Sequence, residues 1–74
     1  MQELILYVRC KKSPFAEEQV KLACDQSHAK RLGFEESGLN IQLETGQVWD
    51  FFLTLTELGV VVEEVRTIAE IETR

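Results

Sequence analysis

The chain has 74 residues, is 45% hydrophobic and 28% charged, and carries a formal net charge of −5 at pH 7. These values predict one small globular domain over residues 1–74. The acidic balance argues against a nucleic-acid partner, because phosphate-binding domains usually carry a basic surplus. No apolar run approaches the roughly 20 residues that span a bilayer, so we expect no membrane partner.

The cysteines and the first residues indicate the compartment. Two cysteines are too few for a disulfide scaffold, and the acidic start at 1–3 does not resemble a signal peptide. We therefore expect a cytoplasmic protein with reduced thiols. Charge is divided unevenly, since residues 1–34 carry a net +2 and residues 35–74 a net −7. That asymmetry could steer a partner protein or a second copy head to tail. The alternative, which we prefer, is a solvated acidic surface without a partner.

The first half of the chain predicts a strand followed by a helix. Residues 3–9 are mostly apolar, as in a central strand covered on both faces. Ser13 followed by Pro14 signals a helix start, because serine can cap free backbone N–H groups and proline fits the first helical position. We expect the helix over residues 14–32, with Gly33 in the left-handed position that ends it.

The second half is less regular. Residues 39–43 alternate apolar and polar side chains, which predicts a half-buried strand. Residues 48–58 space their apolar side chains as a helix does, and Gly59 supplies the stop. The same stretch also alternates like a strand, which would place a hairpin turn at 44–47. We prefer the helix.

The last segment predicts a third strand at residues 60–62. Residues 63–74 either continue that strand or form a terminal helix, and the spacing of Val65, Ile68 and Ala69 fits the helix slightly better. The resulting order is β-α-β-α-β, in which short crossovers favour parallel strands. A narrow sheet has exposed edges, so edge-to-edge pairing with another copy is expected. The alternative is a ferredoxin-like α+β order, β-α-β-β-α-β, with a hairpin around Thr45-Gly46 followed by a helix.

Three short motifs carry a resemblance to a known family: Ile5-Leu6-Tyr7, Ser13-Pro14-Phe15-Ala16 and the stretch 52–59. On these motifs the chain resembles the thioredoxin-like superfamily, and more narrowly the glutaredoxins and the N-terminal domain of glutathione transferases. The resemblance implies a small α/β domain with a three- or four-stranded sheet. It also implies binding through Ser13, Pro14 and Phe15, with glutathione as the ligand to consider.

The same resemblance also implies that this protein is a non-catalytic relative of the glutaredoxins and glutathione transferases. Ser13 and Ala16 stand where glutaredoxins have their cysteines. The family places a cis-proline after the second helix, and residues 60–62 are valines in this chain.

Cys10 is the residue best suited to catalysis. It precedes Lys11, Lys12 and a predicted helix N-terminus, all of which would lower its pKa and favour the thiolate. The alternative is a half-buried thiol that behaves as a small apolar residue. Cys24 and His28 are four residues apart and could share a metal with Cys10, but two ligands on one helix are a weak signal, and we predict no metal site.

Three function classes fit these observations. The first is a thioredoxin-like domain that acts through protein–protein interaction or self-association, for example as a homodimer, without turnover and without a cofactor. The second is a monothiol redox or glutathione-linked protein that uses Cys10. The third is a ferredoxin-like regulatory domain that binds a small molecule. The pKa of Cys10 separates the second class from the other two.

Overall fold

The computed structural model describes residues 2–35 and 38–72. In chain order the elements are β1 (Gln2–Cys10), α1 (Ala16–Ser27), β2 (Lys30–Glu35), β3 (Gly38–Glu44), a 3-10 turn (Thr45–Gln47), α2 (Val48–Glu57) and β4 (Val62–Glu72). The four strands form one antiparallel sheet in the order β2-β3-β1-β4. Within the described ranges, no helix combines the length and apolar character needed to cross a membrane.

A small α/β domain with a four-stranded sheet is confirmed. The predicted order β-α-β-α-β lacks one of the observed strands. β2 occupies residues for which the end of the first helix and a polar connection were predicted, and it pairs with β3. The observed order is the β-α-β-β-α-β of the ferredoxin-like alternative. Its hairpin joins β2 to β3, whereas Thr45-Gly46 lies in the 3-10 turn. Glu36 and Ser37, the centre of the predicted polar connection, lie outside the described residues.

The predicted parallel pairing is wrong, because β1 pairs antiparallel with both β3 and β4. Its position between two strands confirms the predicted central strand. β3 confirms the strand predicted at 39–43, and α2 confirms the helix predicted at 48–58.

Both helices end in the same type of cap. At α2, Gly59 takes a left-handed φ of 81°, and the Val60 N–H donates to the Leu55 carbonyl at 2.9 Å. At α1, His28 takes a left-handed φ of 58°, and the Ala29 N–H donates to the Cys24 carbonyl at 2.9 Å. These are Schellman endings. The predicted end of the first helix at residue 32 is wrong because a non-glycine residue adopts the left-handed conformation.

The start of α1 also differs from the prediction. Pro14 and Phe15 form a turn, and the helix begins at Ala16 with Phe15 as its N-cap residue. Among the described residues no side chain caps this helix, so Ser13 does not serve as the predicted cap. Its carbonyl instead accepts a hydrogen bond from the Ala16 N–H at 3.3 Å.

The core lies between one face of the sheet and the two helices. Phe51 and Leu55 of α2 are fully buried, as is Ala23 of α1. They pack with the buried residues of β1 and β3 that face the helices, which are Leu6, Val8, Leu39, Ile41 and Leu43. Gln19 ties the two helices together, because its side-chain amide donates to the Leu58 carbonyl at 2.8 Å.

β4 is the longest strand, and it replaces the terminal helix that was preferred for the segment after residue 62. Its ladder with β1 is irregular between Ile5 and Leu6, where Ala69 and Thr67 are the partners and Ile68 is the extra residue. An inserted residue interrupts the two-residue alternation of side chains. Because of the inserted Ile68, the apolar side chains of Val65, Ile68 and Ala69 follow the spacing that is typical of a helix, which explains the wrong prediction. Thr73 and Arg74, the end of the predicted segment, lie outside the described residues.

The face of the sheet away from the helices is organised around Tyr7. This ring is only 2% exposed, and Gly38 lies against it so closely that a Cβ atom on residue 38 would clash with the ring. The guanidinium of Arg66 lies 4.5 Å from the ring centroid in a cation–π contact. Arg66 also pairs with Glu64 at 2.7 Å, and Glu64 pairs with Arg9 at 3.2 Å.

We predict that Gly38→Ala destabilises the fold by about 1–3 kcal/mol, because the methyl group forces the buried Tyr7 ring to move. Gly46→Ala is the matched control, since a Cβ atom there meets nothing within 4 Å. Urea unfolding of both variants measures the difference. Equal stability of the two variants would contradict the tight packing of Gly38 on Tyr7.

Candidate functional site

The loop between β1 and α1 adjoins a groove of about 400 Å³. The backbone N–H of Lys11 donates to the Val61 carbonyl at 2.8 Å, which holds the loop against the residue that precedes β4. The groove extends from this loop along α1 to β2 and to the start of β3. Its volume is in the range of about 300–1,000 Å³ that is typical of small-molecule sites.

The floor of the groove is mainly aliphatic. Val8 of β1 and Leu39 of β3 are opposite each other in the sheet ladder and are almost fully buried. Val20 of α1 is half-buried and packs against the core. Because three separate elements supply these side chains, the floor exists only in the folded chain.

Four cationic side chains line the same groove: Lys11, Lys12, Lys21 and Arg31. They are half of the eight Lys and Arg residues in a chain whose net charge is −5. Glu17 also lines the groove, so the ionisable side chains give it a net formal charge of +3. Charge of one sign on low-dielectric walls raises the local concentration of oppositely charged molecules.

The structure separates the predicted catalytic residue, Cys10, and one predicted binding residue, Ser13, from the other two predicted binding residues. Cys10 and Ser13 both line the groove, whereas Pro14 and Phe15 form the exposed turn before α1. Phe15 has 65% of its surface exposed. The predicted set of Ser13, Pro14 and Phe15 therefore does not form one surface around the groove.

Cys10 is half-buried at the end of β1, and its thiol is free. Burial raises the pKa of the Cys10 thiol, and the carboxylate of Glu63 raises this pKa further. The predicted lowering of this pKa by Lys11 and Lys12 is wrong, because desolvation of the thiolate outweighs those exposed charges.

Cys24 and His28 do not converge on a common point. Cys24 is buried in the core, and burial raises its pKa to about 11. His28 is exposed, and its left-handed backbone ends α1. The predicted shared ligand site required both residues to lie on one helix four positions apart, but α1 contains Cys24 and ends before His28.

Sequence reasoning missed Lys21, Arg31 and Glu17 as groove residues. They come from α1 and β2, and the predicted helix over 14–32 hid the strand that carries Arg31. The signal that could have found them is the basic surplus of residues 1–34 in an acidic chain.

No family model matches the sequence, and no curated protein matches it. The resemblance to thioredoxin-like domains therefore remains a prediction from short motifs. The groove is the feature of this chain that bears on function, since a fold alone does not specify a function.

We predict that the Cys10 thiol is alkylated by iodoacetamide with a pH dependence shifted above that of the urea-unfolded chain, because burial and Glu63 both disfavour the thiolate. Cys24→Ala isolates this thiol. Adding Glu63→Gln should move the titration back toward the unfolded value, and Glu70→Gln on the same strand is the control. A titration below that of the unfolded chain would contradict the account and support thiolate chemistry.

Proposed function

We propose that the protein is a binding module, without turnover, that holds a small anionic molecule in the groove beside the β1–α1 loop. The observation that carries the proposal is the concentration of half of all Lys and Arg residues around one groove in an acidic chain. This is the third function class, a small-molecule-binding domain. Two free cysteines are compatible with the reducing cytoplasm that the sequence predicts.

The charges come from three elements, which supports a binding surface rather than a solvated stretch of chain. Lys11 and Lys12 are in the loop, Lys21 is on α1, and Arg31 is on β2. Arg31 can bind a carboxylate or phosphate with two parallel hydrogen bonds, whereas each lysine acts as a point charge. An anion that enters the groove would therefore meet attraction from several directions.

Thiol chemistry is the weaker alternative. A monothiol or glutathione-linked reaction requires the thiolate, and the raised pKa keeps Cys10 protonated near neutral pH. A protonated thiol beside aliphatic side chains fits better as part of the groove wall.

We predict that the fluorescent anion 1-anilinonaphthalene-8-sulfonate binds the folded protein and that Arg31→Ala raises its Kd about fivefold, equivalent to about 1 kcal/mol. Added salt should weaken binding by the wild-type protein, because it screens the attraction. The matched control is Lys30→Ala. Lys30 pairs with Gln42 and Arg31 with Ile41, so the adjacent cations point to opposite faces of the sheet.

The proposal fails if the probe does not bind the folded protein, or if Lys30→Ala weakens binding as much as Arg31→Ala does. Thermal unfolding of each variant establishes that the altered chains remain folded.

A second candidate function, self-association, is favoured by the opposite charges of the two sheet edges. Among the described strands, β2 and β4 are the edges of the sheet. β2 carries Lys30 and Arg31 and an exposed Leu32, whereas β4 is acidic and has Val65 and Ile68 exposed.

The edge charges distinguish head-to-tail assembly from a two-fold pair. Pairing two β4 edges would bring like charges together, whereas β2 of one copy against β4 of the next joins opposite charges. Both edge ladders contain irregular registers, which shorten the stretch available for pairing. We therefore propose a weak head-to-tail association that salt disrupts.

Sedimentation velocity in low salt should show an average mass that rises with protein concentration, and Lys30→Glu should abolish the rise. Glu70→Lys should also abolish the rise. An equal mixture of the two variants should recover association, because the now negative residue 30 on β2 of one variant meets the now positive residue 70 on β4 of the other. A wild-type protein that remains monomeric in low salt at every concentration would exclude this assembly.

A further inference from the structure

The apolar and the charged side chains occupy different parts of the groove wall. The aliphatic floor is formed by Val8, Val20 and Leu39, which all pack in or against the core. The cations are on exposed positions of the loop, the helix and the outer strand β2. A ligand that fills the groove would therefore contact two chemically different surfaces.

An inorganic anion would use only one of these surfaces. It could pair with the cations, but it would leave the half-buried apolar side chains that line the groove, Cys10, Ala16 and Val20, in contact with water. Covering apolar surface contributes about 25 cal/mol for each Å² removed from water. A ligand with an aliphatic body gains this contribution and keeps the attraction of its anionic head.

We propose that the groove binds an aliphatic chain that ends in one anionic head, either a carboxylate or a phosphate monoester. The chain would lie over Val8, Val20 and Leu39, and the head would lie among Lys21, Arg31 and the lysines of the loop. This inference rests on the proposed function and specifies the chemical class of its ligand. The net formal charge of +3 around the groove is enough to balance the full negative charge of one carboxylate or one phosphate monoester.

The position of Cys10 offers a readout that is independent of affinity. Its half-buried thiol lines the same groove as the aliphatic floor. A bound aliphatic chain would cover this thiol, whereas an anion held by the exposed cations would leave it open. Ligand of the proposed class should therefore protect Cys10 from alkylation.

The first experiment displaces 1-anilinonaphthalene-8-sulfonate with decyl phosphate, decanoate, inorganic phosphate, acetate and decylammonium, with the amphiphiles below their micelle concentrations. We expect decyl phosphate and decanoate to displace the probe at concentrations at least about tenfold lower than those of inorganic phosphate and acetate, a difference of about 1.4 kcal/mol. Decylammonium should not displace it at those concentrations. In the Cys24→Ala background, decyl phosphate and decanoate should slow Cys10 alkylation, and inorganic phosphate should not.

Val20→Thr tests the aliphatic floor with little change in volume. It should weaken decyl phosphate binding by about three- to fivefold and leave inorganic phosphate unchanged, because only the chain contacts residue 20. Val48→Thr on α2 is the control, because Val48 packs half-buried against the core as Val20 does but follows the 3-10 turn, whose Thr45 hydroxyl donates to the Gln2 carbonyl at the other end of β1. Equal loss in the two variants would overturn the assignment of the floor.

The outcomes separate the two proposals. If inorganic phosphate and acetate compete as well as the amphiphiles, the groove binds anions but the aliphatic class is wrong. If no compound displaces the probe and no variant of the groove changes probe binding, the proposed function itself is wrong. If the free amphiphiles fail but phosphatidylcholine vesicles containing phosphatidate retain the protein, a membrane surface replaces the free amphiphile as the ligand, and the inference is overturned.

Discussion

The structure depends on the pairing of β1 with two strands at once. β1 pairs with β3 on one side and with β4 on the other, so it joins the early part of the chain to its last strand. Its side chains toward the helices form the core, and Tyr7 on the other face packs against Gly38 and Arg66. Because β1 ends at Cys10, the same pairing also fixes where the loop with Lys11 and Lys12 begins.

Charge is segregated in the fold more sharply than in the sequence. Five of the six basic residues of the first half lie at the loop, on α1 and on β2, whereas the last strand is acidic and forms the opposite edge of the sheet. On β4 the carboxylate of Glu64 is neutralised by Arg9 and Arg66. The groove cations retain an unbalanced positive charge, with Glu17 as the one acidic residue among the described groove residues. The proposed binding of an anion rests on this difference between a neutralised carboxylate on β4 and the unbalanced cations of the groove.

Elements with local signals were predictable, and elements set by distant contacts were not. Gly59 marks the end of α2, because a left-handed residue is usually glycine, but His28 ends α1 without such a marker. The inserted residue Ile68 places the apolar side chains of β4 at a helix-like spacing, so the segment was predicted as a helix although it is a strand. The groove was not predictable as a unit, since Val8, Arg31 and the other wall residues meet only after the strands pair. Cys10 was recognised, but its pKa depends on burial and on Glu63, which is distant in sequence.

The most direct test of the central claim is an NMR titration of the isotope-labelled protein with decyl phosphate, followed through backbone amide and methyl signals. The account predicts that the largest, saturable shifts occur at Val8, Val20 and Leu39 and at the amides of the β1–α1 loop, with Val48 on α2 unchanged. Shifts centred on β4, or weak shifts spread over the whole surface without saturation, would contradict the assignment of this groove as the binding site.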